Sequence, residues 1–184
     1  MPLRIYHKGA WVMSDMYELQ AIKMIAENLP VAVEEPQNPV GREGMALAQY
    51  IAAQAFSNVG LGLVHGMAHP MGSLFDVPHG VANALLLPTI MEFNMPCCIE
   101  KYGVIARTMG VDTTGMTAEE AAQAACDAVK HWPSVWAYLS ICLILALRRA
   151  TFPLSPLRHC DVCTPGNPRD VTEEQIVELY KKVL

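Results

Sequence analysis

Apolar residues in this chain recur every three or four positions. No stretch alternates apolar and polar residues with the two-residue period of a half-buried strand. This pattern points to helices throughout. After Ser14, the apolar positions Met16, Leu19, Ile22, Ile25, Ala26 and Leu29 follow helical spacing. Ser14 is expected to cap this helix, which should run to about Asn28 before Pro30 stops it. Residues 31–42 contain Pro36, Pro39 and Gly41 and read as a loop. A second, alanine-rich helix is expected over Glu43–Asn58, with Met45, Leu47, Ile51 and Phe56. Its small residues allow close approach and suggest an interior position.

Gly60-Leu61-Gly62 should relax the backbone before a short helix carrying His65 and His69. Pro70 should end that helix, since the residue before a proline disfavours the helical region. An irregular stretch, Met71–Pro78, then leads to a helix from His79 to about Asn94, with Pro88 as a kink. Ile99–Met109 is a further helix. Thr117 to Glu120 and Thr172 to Gln175 match capping boxes before helices over Ala118–Lys130 and Glu173–Val183. With no βαβ unit and no glycine-rich phosphate loop after a strand, the expected fold is all-α, a single helical domain over residues 1–184.

Composition narrows the partners. The 184 residues are 52% hydrophobic and 17% charged, which fits a buried globular core rather than disorder. The net charge of −5 and scattered Lys and Arg offer no basic stripe for nucleic acid. The six cysteines are irregularly spaced and no secretory signal precedes them, so a cytoplasmic location is expected. The longest apolar run, Val135–Leu147, is short for a membrane span, and no membrane association is expected. Cys160 and Cys163 have the spacing of half a zinc site but lack a partner pair, so structural zinc is not expected.

His65 and His69 are four apart, so on a helix they share a face, and the turn before His79 could fold that residue back. Imidazoles suit zinc or iron. Gly66 occupies the glutamate position of H-E-x-x-H, which argues against a zincin protease. By spacing alone, the three are either ligands or core and capping histidines.

Two stretches go further. Phe56-Ser-Asn-Val-Gly-Leu-Gly-Leu-Val-His65-Gly-Met-Ala-His69-Pro70 and Pro78-His79-Gly-Val-Ala-Asn-Ala84 resemble the iron-containing (group III) alcohol dehydrogenases, specifically their lactaldehyde reductase, or 1,2-propanediol oxidoreductase, branch. Lys8 to Trp11, Glu43 to Leu47 and Asp161 to Arg169 support the same resemblance. It implies a helical bundle like the C-terminal metal-binding domain of that family, with NAD bound by a separate Rossmann-like domain that this chain lacks. The implied metal is Fe2+ or Zn2+, held by His65 and His79. His69 is the implied catalytic residue, lining the cleft near the nicotinamide and relaying a proton. Phe56 and Cys163 fall near the implied substrate pocket; packing for Phe56 and a buried thiol for Cys163 are the alternatives. Implied partners are a small alcohol or aldehyde, other copies of the chain, since the family is often homo-oligomeric, and a missing N-terminal half.

The family draws its other two ligands, an Asp and a His, from a D-x-x-x-H segment. No such Asp occurs here, and His7 does not fall at the family histidine's position. Codons for His-Ala-Ile-Glu, read one base out of frame, can encode Met-Pro-Leu-Arg, the first four residues. His131–Cys160 departs from the family and back-translates, one frame over, to family-like sequence. Segments 1–7 and 131–160 are therefore expected to be frame-disrupted. The expected function is that of a C-terminal portion of an NAD-linked alcohol dehydrogenase or lactaldehyde reductase, inactive alone. The alternative is a non-catalytic helical module that binds divalent metal or only packs.

Overall fold

The computed structural model describes residues 7–132 and 161–183. The apolar run Val135–Leu147, the cysteine Cys160 and most of the two segments expected to be frame-disrupted lie outside the described residues. The described residues hold helices and turns and no strand.

Helix α1 spans Val12–Glu34 and α2 spans Pro39–Val59. Both extend past the boundaries their prolines indicate. Pro30 sits inside the last turn of α1, where its missing N–H forfeits one hydrogen bond and the remaining turn continues. Ser14 is not the cap: it sits at the third helical position, where its hydroxyl accepts from Trp11 N–H at 2.9 Å and donates to Trp11 C=O at 2.8 Å. Pro39 opens α2 instead of belonging to a loop. It occupies the first helical turn, where an N–H has no intrahelical partner anyway, and Asn38 caps it by accepting from Val40 N–H at 3.0 Å. Ala48, Ala52 and Ala55 line the buried face of α2 against α1. The helix is not interior, however: Leu47 and Tyr50, on its other side, are exposed.

Helix α3 spans Leu63–Phe75, passing through Pro70 rather than ending there. The proline costs the Gly66 carbonyl its helical donor, while packing of Met67, Ala68 and Met71 against α4 holds the helix together. Asp76 then adopts a left-handed conformation (φ 56°, ψ 30°), and its N–H closes the helix on Gly72 C=O at 3.0 Å. Reversal therefore takes only Asp76–Pro78, and helix α4, His79–Asn94, starts at the expected residue.

Helix α4 carries apolar residues on two faces and joins the two hydrophobic clusters of the described residues, while Glu92 faces Lys130 at its surface. One face, with Leu87 and Met91, joins Ile22 of α1, helix α5 (Ile99–Thr108) and helix α6 (Ala118–Lys130). The other, with Ala82, Leu86 and Ile90, packs on α3 and helix α7 (Glu173–Val183). Both expected capping boxes form. Thr117 N–H donates to Glu120 at 2.7 Å, and Thr172 N–H to Gln175 at 3.0 Å, with the reciprocal bonds at 3.2 and 3.3 Å. Two buried tyrosines lock the core: Tyr180 donates to Met67 C=O at 2.6 Å, and Tyr102 to Met91 C=O at 3.1 Å.

Candidate active site

The short α3–α4 turn brings the three histidines together. Ring centroids lie 5.4 Å apart for His65 and His79, 5.5 Å for His69 and His79, and 6.0 Å for His65 and His69. Two imidazoles bound to one ion at about 2.0–2.1 Å would place their centroids about 5 Å apart. The His65–His79 spacing therefore fits a shared cation. His65 is half-buried and His79 exposed, so the cluster opens to solvent. Asn83, one turn along α4, donates to His79 C=O at 2.8 Å and lies 3.0 Å from His79 Nε2. That contact uses the Nε2 lone pair, so the ring presents the same pair a cation would take. The Asn83 carbonyl oxygen is buried without a hydrogen-bond partner, consistent with an environment built around a further polar group.

A third element, after α3 and α4, adjoins the histidines. The turn over residues 161–167 contains a 3-10 segment, Thr164–Gly166, and it docks on α3. Asp161 accepts from Cys163 N–H at 2.6 Å, an Asx-turn contact. Its other carboxylate oxygen accepts from His69 Nδ1. Because a carboxylate only accepts, this pairing places a proton on His69 Nδ1. Burial pushes the Asp161 carboxyl up, but hydrogen bonds from His69 and from the backbone and thiol of Cys163 outweigh it and hold the carboxyl below its ordinary range.

Two glycines allow the turn to dock. A Cβ at Gly66 would meet the Thr164 hydroxyl, and one at Gly166 would meet the His7 imidazole and the Leu61 carbonyl at 2.6 Å. Asn167 is buried and exchanges two 2.8 Å hydrogen bonds with Asn94 of α4. Lys8 N–H donates to Gly166 C=O at 3.1 Å, tying down the start of the described chain. His7 therefore packs on this turn, its Nδ1 accepting from Gly9 N–H at 2.9 Å.

Cys163 is half-buried beside Asp161 and His69. Phe56 is half-buried in the last turn of α2, where its carbonyl accepts from Gly60 N–H at 3.0 Å. Asp161 and Asn83 are absent from the sequence-based set of site residues. Asn83 stands four residues from His79, a spacing legible on a helix. Asp161 heads an Asp-x-Cys-Thr-Pro-Gly turn signal, but its pairing with a histidine 92 residues away has no local mark.

Residues 5–184 match the model of the Fe-containing alcohol dehydrogenase family, C-terminal. The chain belongs to the Fe-containing alcohol dehydrogenase family. It is 47% identical over 174 residues to lactaldehyde reductase of Escherichia coli K12, covering 94% of this chain and 45% of that protein. It is 38% identical to 1,3-propanediol dehydrogenase of Citrobacter freundii, with 95% and 46% covered. Among solved structures, a 1,3-propanediol oxidoreductase superposes with a TM-score of 0.86 at 34% identity, over 98% of this chain and 48% of that one. An alcohol dehydrogenase from Oenococcus oeni gives 0.80 at 30% identity. The chain spans about half the length of the curated relatives it matches. The all-α fold and the family membership expected from sequence both hold. No described helix is long and apolar enough to cross a membrane.

Proposed function

We propose that this chain supplies the metal-binding wall of an active-site cleft that interconverts a small alcohol or diol with its aldehyde. Metal binding is assigned to His65 and His79, and proton handling to His69. The observation that carries this reading is the 5.4 Å separation of the His65 and His79 rings, contributed by two helices across a three-residue turn. Fe2+ or Zn2+ held there would supply Lewis acidity toward an alcohol oxygen, easing loss of its proton and departure of hydride from the carbon.

This chain's own residues do the rest. Asp161 keeps the His69 proton on Nδ1, so that Nε2 can take or return a proton at the substrate hydroxyl. Cys163 and Phe56 are assigned to the substrate side of the cleft. A diol of the size handled by the lactaldehyde and propanediol relatives is the substrate class. Hydride transfer needs NAD held against the reacting carbon. The described residues provide no strand and no phosphate loop to hold it, so we assign NAD to a nucleotide-binding domain outside them.

Metal content by mass spectrometry, after loading with Fe2+ or Zn2+, tests the ligand assignment. The His65→Ala and His79→Ala variants are each expected to hold one equivalent of metal less than the wild type. Metal content unchanged from the wild type in both variants would leave the pair as packing residues. NAD-linked oxidation of 1,2-propanediol by this chain alone would overturn the assignment of NAD to another domain.

A further inference from the structure

We propose that His69, Asp161 and Cys163 form a second metal site, for a thiophilic divalent ion of the Zn2+ class, distinct from the His65–His79 pair. One nitrogen, one carboxylate oxygen and one sulfur from these residues all lie within 4.8 Å of one another. A tetrahedral ion with bonds of about 2.0–2.3 Å sets its ligands about 3.3–3.8 Å apart. The widest pair must therefore close by up to about 1.5 Å and the hydrogen-bonded His69–Asp161 pair must open, movements that side-chain rotation at Asp161 and Cys163 can supply.

The donors are mixed in a way that selects the ion. A thiolate and an imidazole favour zinc over the hard ions magnesium and calcium, and one carboxylate balances charge. Three protein ligands leave a fourth position for water. The site is reachable, with the His69 and Asp161 side chains 36% and 24% exposed.

The site is also held in place before any ion arrives. Asp161 and Cys163 sit two apart on a turn closed by Thr164 N–H to Asp161 C=O at 3.1 Å, and Asn167 anchors that turn to α4. His69 comes from α3, which Gly66 lets the turn approach. The ion takes the place of the proton on His69 Nδ1, leaving the ring neutral with its proton on Nε2, and displaces the thiol proton of Cys163 to solvent. The sulfur that lacks a second cysteine pair for a zinc knuckle finds its partners in a carboxylate and a distant imidazole instead. If His69 handles the substrate proton as proposed above, occupancy here removes it from that role, and the ion acts as an inhibitor. The existence of the site does not depend on that role.

Cobalt(II) titration of the full chain, first stripped of metal by dialysis against a chelator, tests the proposal. A thiolate-to-cobalt charge-transfer absorption that saturates within two equivalents, as the two sites fill, is expected. It should persist in the His65→Ala/His79→Ala double variant, disappear in Cys163→Ser, and require at least about tenfold more cobalt in Asp161→Asn. Added Zn2+ should bleach it. Absence of the band in wild type, its survival in Cys163→Ser, or its loss in the double variant would overturn the second site. Failure of the His65–His79 assignment shows separately, as metal uptake indifferent to those two substitutions.

Discussion

Replacing Gly66 by alanine tests how the site is assembled, because this position lets the 161–167 turn reach α3. The new Cβ would clash with the Thr164 hydroxyl and lie 3.5 Å from the Thr164 backbone nitrogen. The turn cannot drift freely, since Thr164 N–H is bonded to Asp161 C=O at 3.1 Å and Asn167 N–H to Thr164 C=O at 2.9 Å. Alanine gains up to about 1 kcal/mol of helix propensity over glycine. Overpacking costs about 1–3 kcal/mol. The net loss is up to about 2 kcal/mol, which lowers Tm by up to about 8 °C for a chain of this size. Thr164→Ala removes the colliding hydroxyl, which is buried without a hydrogen-bond partner, so on its own it should be near neutral. Combined with Gly66→Ala it should restore wild-type Tm or exceed it, a coupling of about 1–3 kcal/mol in a thermal-denaturation double-mutant cycle. Two strictly additive substitutions would refute the account of how the turn docks.

Asn167→Ala should be more damaging, because it strands both amide atoms of buried Asn94 and removes a 2.7 Å donor from Arg169 C=O. Each orphaned group costs about 1–3 kcal/mol, readable as a lowered denaturant midpoint. Tyr180→Phe deletes the 2.6 Å bond to Met67 C=O in the core and should cost about 1 kcal/mol by the same measurement. Buried thiols give a pH signature: burial pushes Cys98 up to about 11 and Cys126 up to about 12, from 9.0. The unfolded chain therefore ionises first, and the stability these two thiols contribute is complete below pH 9 and lost as pH rises through the folded values. Equilibrium unfolding between pH 8 and 11 should weaken more in wild type than in Cys98→Ala/Cys126→Ala. Alkylation of the native protein at pH 8, followed by peptide mapping, should label exposed Cys97 and spare Cys98 and Cys126.

Much of the helical frame is legible locally. The capping boxes at Thr117 and Thr172 and the start of α4 at His79 each depend on residues within one turn, and all three appear where expected. Prolines misled because their local preference was read without the packing that overrides it. Pro30 and Pro70 each cost one hydrogen bond, yet α1 is held by α2 along its length and α3 by Met67 and Met71 in the core. The alanines of α2 misled in a different way. Small residues report close approach on one face only, and Leu47 and Tyr50 show that the other face stays in water.

The candidate site divides along the same line. His65, His69 and His79 converge through spacing on α3 and a three-residue turn, so the sequence alone can propose their meeting. The carboxylate that orients His69 arrives from 92 residues away and leaves only a turn signal behind. Its arrival depends on glycine at 66, a residue whose sequence meaning was limited to arguing against a zincin. The feature that separates this site from a helix-borne protease motif is therefore the one that opens it. Glutamate in that place would put a side chain where Thr164 now sits and force the turn bearing Asp161 and Cys163 away from His69.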